Sequence, residues 1–494
     1  NRMNTPSPAT DEQRLAAQGD LRELIRIARE RGELEVIKGA NTYLEMGALY
    51  ELSLRDRYPP LLLFEDIPGY PKSHRVLMNV RFSRIFQSDL SLEALKKFRA
   101  RRRWEADPIP PEWVNGGPVT ENIMRGDKVN IRAFPAGHWH EHDGGPYIGT
   151  ECLVINKDPD SDWVNLGTYR VQVQDDKTLT VFIEPGKHGS IIREKYWAKG
   201  QACPMVVCVG QAPILGVVAS TSSKQGMSEL DSAGGRLGHP IKVVRGELTG
   251  LPIPADAELA FEGFMPPPSE ETRPEGPFAE WPGYYATDAG EEPVVRVGAI
   301  YHRNDPILIG QPPAKPTFPG RQPSLAGMAA IWDALEAAGV PGVTGVWKPL
   351  GPGVGFMNVI SIKQMHPGHA KMAGLVATGA GPSAYMGRIT VIVDDDIDVT
   401  STPEILWAMA TRWDPKTQTD IIDGCYSGYI DPSISPEKRA INDHTSARII
   451  IYAVKPYHWM DKFPVVNTVS KQYSQQVEAK WKDKLRFLGG TPAE

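Results

Sequence analysis

Apolar residues recur at helical spacing near the start of the chain. After Asp20, leucine, isoleucine and alanine side chains return every three or four positions until Gly32. This pattern predicts an amphipathic helix that begins at Asp20, with Glu23 in the position of a capping box. The next apolar segments predict a strand at residues 34–37, a helix at 43–54 and a strand at 61–64. Residues 11–131 are therefore predicted to form an α/β domain.

The pattern changes to short apolar runs, separated by turn residues, between residues 132 and 310. These runs lie at residues 152–155, 170–173, 179–183, 205–209, 214–218, 241–244 and 295–300. Strand-sized runs at intervals of roughly 8–12 residues are typical of antiparallel sheets. We therefore expect this part of the chain to be a β-barrel or a β-sandwich.

A segment with five prolines, residues 311–323, is the predicted linker to the last part of the chain. The elements predicted after it are a helix capped by Ser324, strands at 356–362 and 388–393, and a helix with Thr402 as its N-cap and Pro403 as its first residue. This alternation predicts a third, α/β domain at residues 324–470. Residues 471–494 are predicted to carry a C-terminal helix to about residue 487, of the kind that packs on a neighbouring subunit.

Composition narrows the class of protein. A chain of 494 residues exceeds what one hydrophobic core usually covers, which predicts two or three domains. The net charge of -6 offers no basic surface for nucleic acid. Four cysteines without a CxxC pair favour reduced thiols in the cytoplasm. No window approaches the ~20 uncharged apolar residues that a membrane span needs, so we expect no membrane partner.

Three alternating histidines form the first candidate site. His138, His140 and His142 would place three imidazoles on one face of a strand, where they could bind zinc. The turn sequence Asp143-Gly144-Gly145 that follows is typical of a surface loop instead. The pattern alone therefore favours a structural role over a metal site.

A second candidate is the set Asn165, His188 and Glu229. An amide oxygen, an imidazole and a carboxylate suit Mn²⁺ or Mg²⁺ and leave positions for phosphate oxygens. Such a set could anchor a phosphorylated cofactor. Considered on its own, a single histidine in a region of strands is more often a hydrogen-bonded structural residue.

A third candidate is the pair of carboxylates Glu275 and Glu280, which lie across a Gly-Pro turn. Two acids directed at one cavity repel, which raises the pKa of one of them so that it holds a proton near neutral pH. Arg170 would keep the other carboxylate ionised if it faces them. From spacing alone, a solvated acidic loop is the more usual interpretation.

An acidic run at residues 394–398 is the fourth candidate, because cations can bind where a strand of an open α/β sheet ends. The ordinary turn between a strand and a helix explains this run equally well. The sequence also lacks the P-loop, the GxGxxG, the GxSxG and the HExxH motifs. Phosphoryl transfer, nucleotide-dependent redox chemistry and serine hydrolysis therefore lack their usual signals.

The segments above, in this order, resemble the UbiD-like decarboxylase family over nearly the whole chain. The matching segments are residues 20–23, 32–34, 60–64, 165–170, 187–188, 228–229, 394–398 and 406–412, and above all Glu275-Gly276-Pro277-Phe278-Ala279-Glu280. The resemblance implies a multidomain α/β fold: an N-terminal α/β region, a central split β-barrel that binds flavin, and a C-terminal α/β domain with a terminal helix. Its boundaries would be 11–131, 132–310, 324–470 and 471–494.

The resemblance also implies a cofactor, prenylated FMN. Asn165, His188 and Glu229 would be the ligands of Mn²⁺ or Mg²⁺, with K⁺ as a further cation of the site. The residues expected along the cofactor are Trp163, Asn165, Arg170, Lys187, His188, Ser220, Glu229 and Lys363. Lys187 stands where members of the family often carry glutamine.

Arg170, Glu275 and Glu280 would then be the catalytic group. The implied reaction is a reversible, non-oxidative decarboxylation through a covalent adduct with the cofactor, after which Glu280 protonates the carbon. The stretch after Gly310 and residues 341–347 resemble the family's aromatic-acid branch, so an aromatic or heteroaromatic acid is expected ahead of another α,β-unsaturated acid. The expected partners are this acid, CO₂, a flavin prenyltransferase that supplies the cofactor, and further copies of the chain in a homodimer or larger oligomer.

Two alternatives remain open at this point. One is a metal-dependent decarboxylase or hydrolase without flavin, built on His138, His140 and His142. The other is a non-catalytic flavin-binding protein, because a barrel can bind flavin without performing chemistry.

Overall fold

A computed structural model describes residues 8–87, 90–101, 107–221, 223–349 and 353–488 of the protein. Its N-terminal elements are α1 (Asp11–Gly19), α2 (Leu21–Glu30), β1 (Leu34–Lys38), α3 (Glu45–Ser53), β2 (Leu61–Glu65), β3 (Arg75–Met78), α4 (Leu92–Arg101), β4 (Glu112–Trp113) and β5 (Asn122–Arg125). The predicted start of α2 is confirmed, because the Asp20 side chain accepts a hydrogen bond from the Glu23 backbone N–H. The apolar face of α2 is buried in a core that it shares with β2 and β3.

The central elements are β6 (Tyr147–Gly149), β7 (Cys152–Lys157), β8 (Val164–Gly167), β9 (Val171–Val173), β10 (Thr178–Val181), α5 (His188–Ala198), β11 (Cys203–Val209), α6 (Pro213–Ala219), α7 (Glu229–Leu237), β12 (Lys242–Arg245), β13 (Pro252–Pro254), β14 (Leu259–Met265), β15 (Thr272–Glu275), β16 (Gly290–His302) and β17 (Ile307–Ile309). Ten strands of the described residues form one antiparallel sheet with the path β6-β9-β10-β16-β14-β11-β7-β8, and β5 and β15 also pair with β16. β17 follows this sheet in the chain and pairs in parallel with β3, which makes it the fourth strand of an N-terminal sheet in the order β1-β2-β3-β17.

The C-terminal elements are α8 (Leu325–Ala337), β18 (Val343–Trp347), α9 (Gly353–Phe356), β19 (Met357–Ile362), α10 (His369–Gly379), α11 (Gly381–Ala384), β20 (Ile389–Asp394), α12 (Thr402–Arg412), β21 (Thr419–Tyr426), α13 (Pro436–Ala440), β22 (Thr445–Ala453) and α14 (Lys471–Trp481). The strands form a sheet in the order β18-β19-β20-β22-β21, with the three inner strands parallel. Apolar residues of α8, α10 and α12 pack with this sheet in a core of its own.

The predicted multidomain α/β architecture is confirmed, but its finer form is not. No strand pairing joins β6 to β8 in the described part of the chain, so the central sheet is open where a barrel would close. The domain boundaries stay predictions.

None of the helices within the described ranges has the length and apolar character that crossing a bilayer requires. All four cysteines lie in those ranges and are free.

Three predicted elements are corrected. Residues 214–218, predicted as a strand, lie in helix α6, because a short buried apolar run fits either element and Pro213 suits the first turn of a helix. α12 is capped by Ser401 and not by Thr402. The C-terminal helix ends at Trp481, ahead of the expected residue 487, and every residue of α14 is exposed.

Candidate active site

An arginine and two glutamates meet although they are 105 and 110 positions apart in the chain. Arg170 directly precedes β9, Glu275 ends β15, and Glu280 lies in the following turn. Nε and Nη2 of Arg170 donate to the two oxygens of Glu275 at 2.8 and 2.7 Å, and Nη1 donates to Oε1 of Glu280 at 2.6 Å. Arg170 and Glu275 are both buried. The guanidinium therefore fixes the two carboxylates relative to each other.

Tyr147 completes the network from strand β6. Its hydroxyl donates to Oε1 of Glu275 at 2.7 Å, and its ring lies 4.1 Å from that of Phe278. Burial raises the pKa of Tyr147, so the hydroxyl keeps its proton and remains a donor. Glu275 thus accepts three hydrogen bonds from Tyr147 and Arg170, which hold its carboxylate in one orientation.

The two carboxylates have different electrostatic surroundings. Burial raises the pKa of Glu280 to about 7, although the charge and hydrogen bond of Arg170 act to lower it. The Glu275 and Glu184 carboxylates also raise it. Burial opposes the charge of Arg170, but Glu275 and Glu280 raise the pKa of the guanidinium overall. Glu280 is therefore able to hold a proton near neutral pH beside a permanently charged arginine.

Aromatic side chains surround this network on both sides. The Arg170 guanidinium lies over the Phe182 ring, 4.1 Å from its centroid. Trp281, next to Glu280, stacks on Phe356 of the C-terminal part with centroids 5.1 Å apart. The backbone N–H of Tyr429 donates to Glu184 at 3.2 Å. The C-terminal α/β part therefore contacts the segment that carries Glu280.

The residues Asn165, His188 and Glu229 are also brought together. Asn165 lies on β8, whereas His188 and Glu229 are the first residues of α5 and α7. Trp163 lies between the two helices: its ring is 5.0 Å from that of His188, and its Nε1 donates to the backbone oxygen of Met227 at 3.2 Å. Burial raises the pKa of the nearby Tyr169, which is close enough to Asn165 and Glu229 for both to influence it.

The chemistry of this second set fits a cation. Glu229 is only 2% exposed, and burial raises its pKa. Its Oε2 accepts from the Leu166 backbone N–H at 2.8 Å, but none of the described lysines or arginines forms an ion pair with it. Ser228 Oγ is buried without a hydrogen-bond partner among the described residues. A buried carboxylate without a counter-charge, beside an amide and an imidazole, suits a divalent ion with further oxygen ligands.

Three residues expected along the cofactor lie at different distances from this set. Lys187 is the N-cap of α5, next to His188, and its Nζ is 5.4 Å from the Tyr385 ring centroid. Ser220 is the exposed C-cap of α6, and its hydroxyl donates to the backbone oxygen of Val217. Lys363 is exposed beyond the end of β19, which starts beside Phe356 and spans roughly 20 Å. The place of Lys363 along the cofactor stays a prediction.

The three histidines of the first candidate do not converge. Their side chains have separate contacts: the ring of Tyr43 at 4.9 Å for His138, the Glu51 carboxylate at 3.3 Å for His140, and the ring of Tyr285 at 5.7 Å for His142. Among the described residues, no group of three or more His, Cys, Asp or Glu side chains is placed to hold a metal. The structural interpretation of this motif therefore agrees with the geometry.

The acidic run is likewise occupied by ion pairs. Arg412 binds Asp394 at 2.9 Å and Asp396 at 2.7 Å, and Lys455 binds Asp396 at 2.9 Å. Arg412 and Lys455 lower the pKa of Asp396 to about 2, although burial acts to raise it. These contacts stabilise the turn between β20 and α12.

Comparison with known proteins gives consistent matches. Residues 112–316 match the family model described as the 3-octaprenyl-4-hydroxybenzoate carboxy-lyase Rift-related domain (UbiD), and residues 324–453 match the C-terminal domain of the same carboxy-lyase. The pyrrole-2-carboxylic acid decarboxylase of Pseudomonas aeruginosa is 30% identical over 432 residues, which cover 80% of this chain and 83% of that protein.

Solved structures resemble the fold over almost its full length. The UbiD-class enzyme HmfF from Pelotomaculum thermopropionicum, in complex with FMN, has a TM-score of 0.76 at 28% identity and covers 92% of this chain and 98% of its own. An evolved dimeric form of that enzyme, in complex with prFMN, has a TM-score of 0.74 at 26% identity with the same coverage of 92% and 98%.

Proposed function

This chain belongs to the UbiD family of carboxy-lyases, and on that premise we propose that it removes CO₂ reversibly and non-oxidatively from an aromatic or heteroaromatic acid with the help of prenylated FMN. The observation that supports this most is the network of Arg170, Glu275 and Glu280, in which one buried acid is paired and the other holds a proton near pH 7.

The proposed substrate class follows from the walls around Glu280. Phe182, Phe278 and Trp281 come from the central part, and Phe356 and Tyr385 come from the C-terminal part. A planar ring can stack among such side chains, whereas a short aliphatic acid would leave them uncovered. The Pseudomonas aeruginosa relative is named for a heteroaromatic acid, which agrees with this class.

The proposed cofactor is held by the second set of residues. Asn165, His188 and Glu229 would bind Mn²⁺ or Mg²⁺, with K⁺ as a further cation, and this metal would supply positive charge for the flavin phosphate. Trp163, Lys187 and Ser220 would lie along the cofactor. When bound, the prenylated flavin supplies an electron sink that amino-acid side chains lack, because loss of CO₂ from a ring carbon otherwise leaves a carbanion without delocalisation.

The chain's own residues would orient the acid and move one proton. The charge of Arg170 favours binding of the substrate carboxylate, and the hydrogen bonds from Tyr147 and Arg170 keep Glu275 in a fixed orientation. As CO₂ leaves, the proton on the Glu280 carboxyl is transferred to the ring carbon that carried the carboxylate. Glu280 then regains a proton from water. No ATP-dependent step is needed, so the reverse reaction is expected at high CO₂.

The same proposal covers the organisation of the molecule. The central sheet would be the family's flavin-binding split barrel, within domains at residues 11–131, 132–310 and 324–470. The exposed helix α14, within residues 471–494, would pack on another copy of the chain in a homodimer or larger oligomer. A flavin prenyltransferase in the same cytoplasm would supply the cofactor.

Expression with and without a flavin prenyltransferase tests this function. Protein from the co-expression should show the absorption of a modified flavin and release CO₂ from members of an aromatic and heteroaromatic acid panel. Protein made without the prenyltransferase should be inactive. CO₂ release by colourless protein would support a metal-dependent enzyme instead, and a bound modified flavin without turnover of any acid would support a binding protein. The separate contacts of the three histidines disfavour the metal-dependent enzyme, and the similarity to a protein named as a decarboxylase disfavours the binding protein.

A further inference from the structure

Asp143 is a buried carboxylate that has no part in the proposed chemistry. Its side chain is fully buried, and no described lysine or arginine pairs with it. Its Oδ2 accepts from the His140 backbone N–H at 2.9 Å. Burial would raise the pKa of Asp143, but hydrogen bonds from His140 outweigh this and hold the pKa below its usual value. Asp143 is therefore an ionised acceptor at neutral pH.

The other oxygen of Asp143 contacts the turn that carries Glu280. Oδ1 accepts from the backbone N–H of Ala279 at 3.4 Å and from the hydroxyl of Tyr285 at 3.2 Å. Ala279 directly precedes Glu280, and Tyr285 follows it by five positions. The turn between them is closed by the Glu280 N–H, which donates to the Tyr284 backbone oxygen at 3.0 Å. One carboxylate thus holds both ends of the segment that presents Glu280.

The backbone beside Asp143 is fitted to the same segment. The Gly144 N–H donates to the backbone oxygen of Pro277 at 2.8 Å. A Cβ atom on Gly144 would lie 1.9 Å from the backbone oxygen of Gly276, so only glycine permits this approach. His140 continues the contact outward, because its Nε2 lies 3.3 Å from Glu51. The backbone of residues 140–144 therefore packs closely, in a single arrangement, against the segment that carries Glu280.

We propose that Asp143 is a positioning residue for Glu280: its carboxylate fixes the turn at residues 276–285 and thereby sets the contact between Glu280 and Arg170. The effect on turnover rests on the proposed function, whereas the tether itself does not. Catalytic acids need placement to within a fraction of an ångström, and a misplacement of about 1 Å can cost on the order of a hundredfold in rate.

The charged and titratable groups that face Glu280 determine what loosening the turn would do. They are Arg170 and Glu275 from the central network, Glu184 ahead of α5, and Tyr385 from the C-terminal part. Arg170 is the only cation among them. A Glu280 carboxyl that moves away from Arg170 stays near the two other carboxylates and loses the contact that lowers its pKa.

Asp143→Asn is the sharpest variant, because an asparagine has one acceptor oxygen where the carboxylate has two. It can accept either from His140 or from Ala279 and Tyr285, but not from both sides. Tyr285→Phe removes only one hydroxyl and keeps the ring. The matched control is Glu262, another buried carboxylate whose oxygens accept from the backbone N–H groups of Leu248 and Thr249 and from the hydroxyl of Tyr301. Glu262→Gln and Tyr301→Phe therefore disturb a similar tether away from Glu280.

Two measurements on the protein without turnover test the tether. In hydrogen–deuterium exchange, Asp143→Asn should speed exchange of the peptide that covers residues 276–285 by about tenfold or more, while Glu262→Gln should do so only near residues 246–251. In ¹³C NMR of protein labelled at the glutamate carboxyls, with Glu280 assigned by Glu280→Gln, the titration midpoint of Glu280 should rise in Asp143→Asn. Tyr285→Phe should also raise the titration midpoint of Glu280, but by less. If Asp143→Asn does not fold, the result for Tyr285→Phe tests the proposal in its place.

Turnover of the loaded enzyme adds a third readout. Asp143→Asn should lower kcat about tenfold or more, with KM within about threefold, whereas Glu262→Gln should change kcat by less than about twofold. Unchanged exchange and an unchanged Glu280 titration in Asp143→Asn would overturn the proposal, as would a kcat equal to that of Glu262→Gln. If the wild-type protein turns over no acid, the proposed function fails, and the exchange and NMR results still decide whether Asp143 positions Glu280.

Discussion

Oε1 of Glu280 lies 2.6 Å from Nη1 of Arg170, while the two remaining donor nitrogens of the same guanidinium face Glu275. The Arg170 guanidinium therefore makes more hydrogen bonds to Glu275 than to Glu280. Glu275 receives two of the three contacts and a further hydrogen bond from Tyr147. Glu280 receives one, which is too little to offset its burial, and its pKa is raised to about 7.

This inequality predicts the pH dependence of turnover. Because the folded-state pKa of Glu280 lies above its ordinary value, the protonated donor is present below about pH 7 and is lost as the pH rises. We expect kcat to fall about tenfold per pH unit above this midpoint. Steady-state CO₂ release measured between pH 5.5 and roughly 9 tests this expected fall in kcat. A kcat that rises through pH 7 would contradict the assignment of Glu280 as the acid.

Glu292 provides the control for that profile. Burial and repulsion from Glu275 raise its pKa to about 7 as well, so a titration in this range has two possible sources. Glu292→Gln should leave the decline in kcat above pH 7 in place. Disappearance of that decline would assign the titration to Glu292.

Arg170→Lys should remove activity and also destabilise the fold. Lysine cannot bind Glu275 with two nitrogens and reach Glu280 with a third, so a buried carboxylate loses part of its charge pairing. We expect a loss of about 3 kcal/mol in the free energy of unfolding and of at least about a hundredfold in kcat. Chemical denaturation and CO₂ release measure the two effects.

Arg22→Lys is the matched variant, since Arg22 binds Glu258 with two nitrogens at 2.8 and 2.9 Å outside the site. It should lower stability without a change in kcat. Equal kcat values for Arg170→Lys and Arg22→Lys would show that Arg170 has no role in catalysis.

Tyr147→Phe should have a smaller effect, because it takes one of three hydrogen bonds from Glu275 and leaves the ring packed on Phe278. The expected loss is about 1 kcal/mol of stability, and kcat should fall about tenfold. Tyr301→Phe removes the same kind of hydrogen bond, from hydroxyl to buried Glu262, and should cost stability alone. A Tyr147→Phe enzyme as active as Tyr301→Phe would show that Glu275 needs no support from β6.

The sequence predicts well those elements whose own residues determine them. α2 begins where Asp20 caps it, and α8 begins where the Ser324 hydroxyl accepts from the Gly327 N–H, because caps and apolar periodicity are local signals. Residues 214–218 were wrongly predicted as a strand, since a five-residue apolar run has no measurable period. Only packing decides between helix and strand there.

The site is harder to predict, because its parts come from distant segments. The pairing of Arg170 with Glu275 spans 105 positions, and spacing alone favoured a solvated loop for the two glutamates. Resemblance to the family supplied those residues, together with Asn165, His188 and Glu229. Tyr147 and Asp143 were missed as site residues, although both lie in or just after the histidine motif that suggested zinc. The contacts of these two residues depend on which strand ends lie together in the fold, and the sequence pattern does not predict that arrangement.

The metal proposal makes a prediction about cofactor retention. Glu229→Gln keeps an acceptor for the Leu166 N–H but removes the negative charge that would bind the cation. Metal and flavin content after purification should both fall to about a tenth of the wild-type values or less. Elemental analysis and flavin absorbance measure them, with Glu262→Gln as the buried-carboxylate control. Full metal and flavin content in Glu229→Gln would show that the cofactor is held elsewhere.

The central claim is that Glu280 protonates the carbon from which CO₂ departs, and Glu280→Gln tests it most directly. The variant should be produced together with a flavin prenyltransferase and supplied in D₂O with an acid that the wild-type enzyme decarboxylates. Flavin absorbance should equal that of the wild type, while formation of the product deuterated at the former carboxyl carbon should fall by at least about a hundredfold. Wild-type rates of CO₂ release and deuterium incorporation in Glu280→Gln would contradict the account.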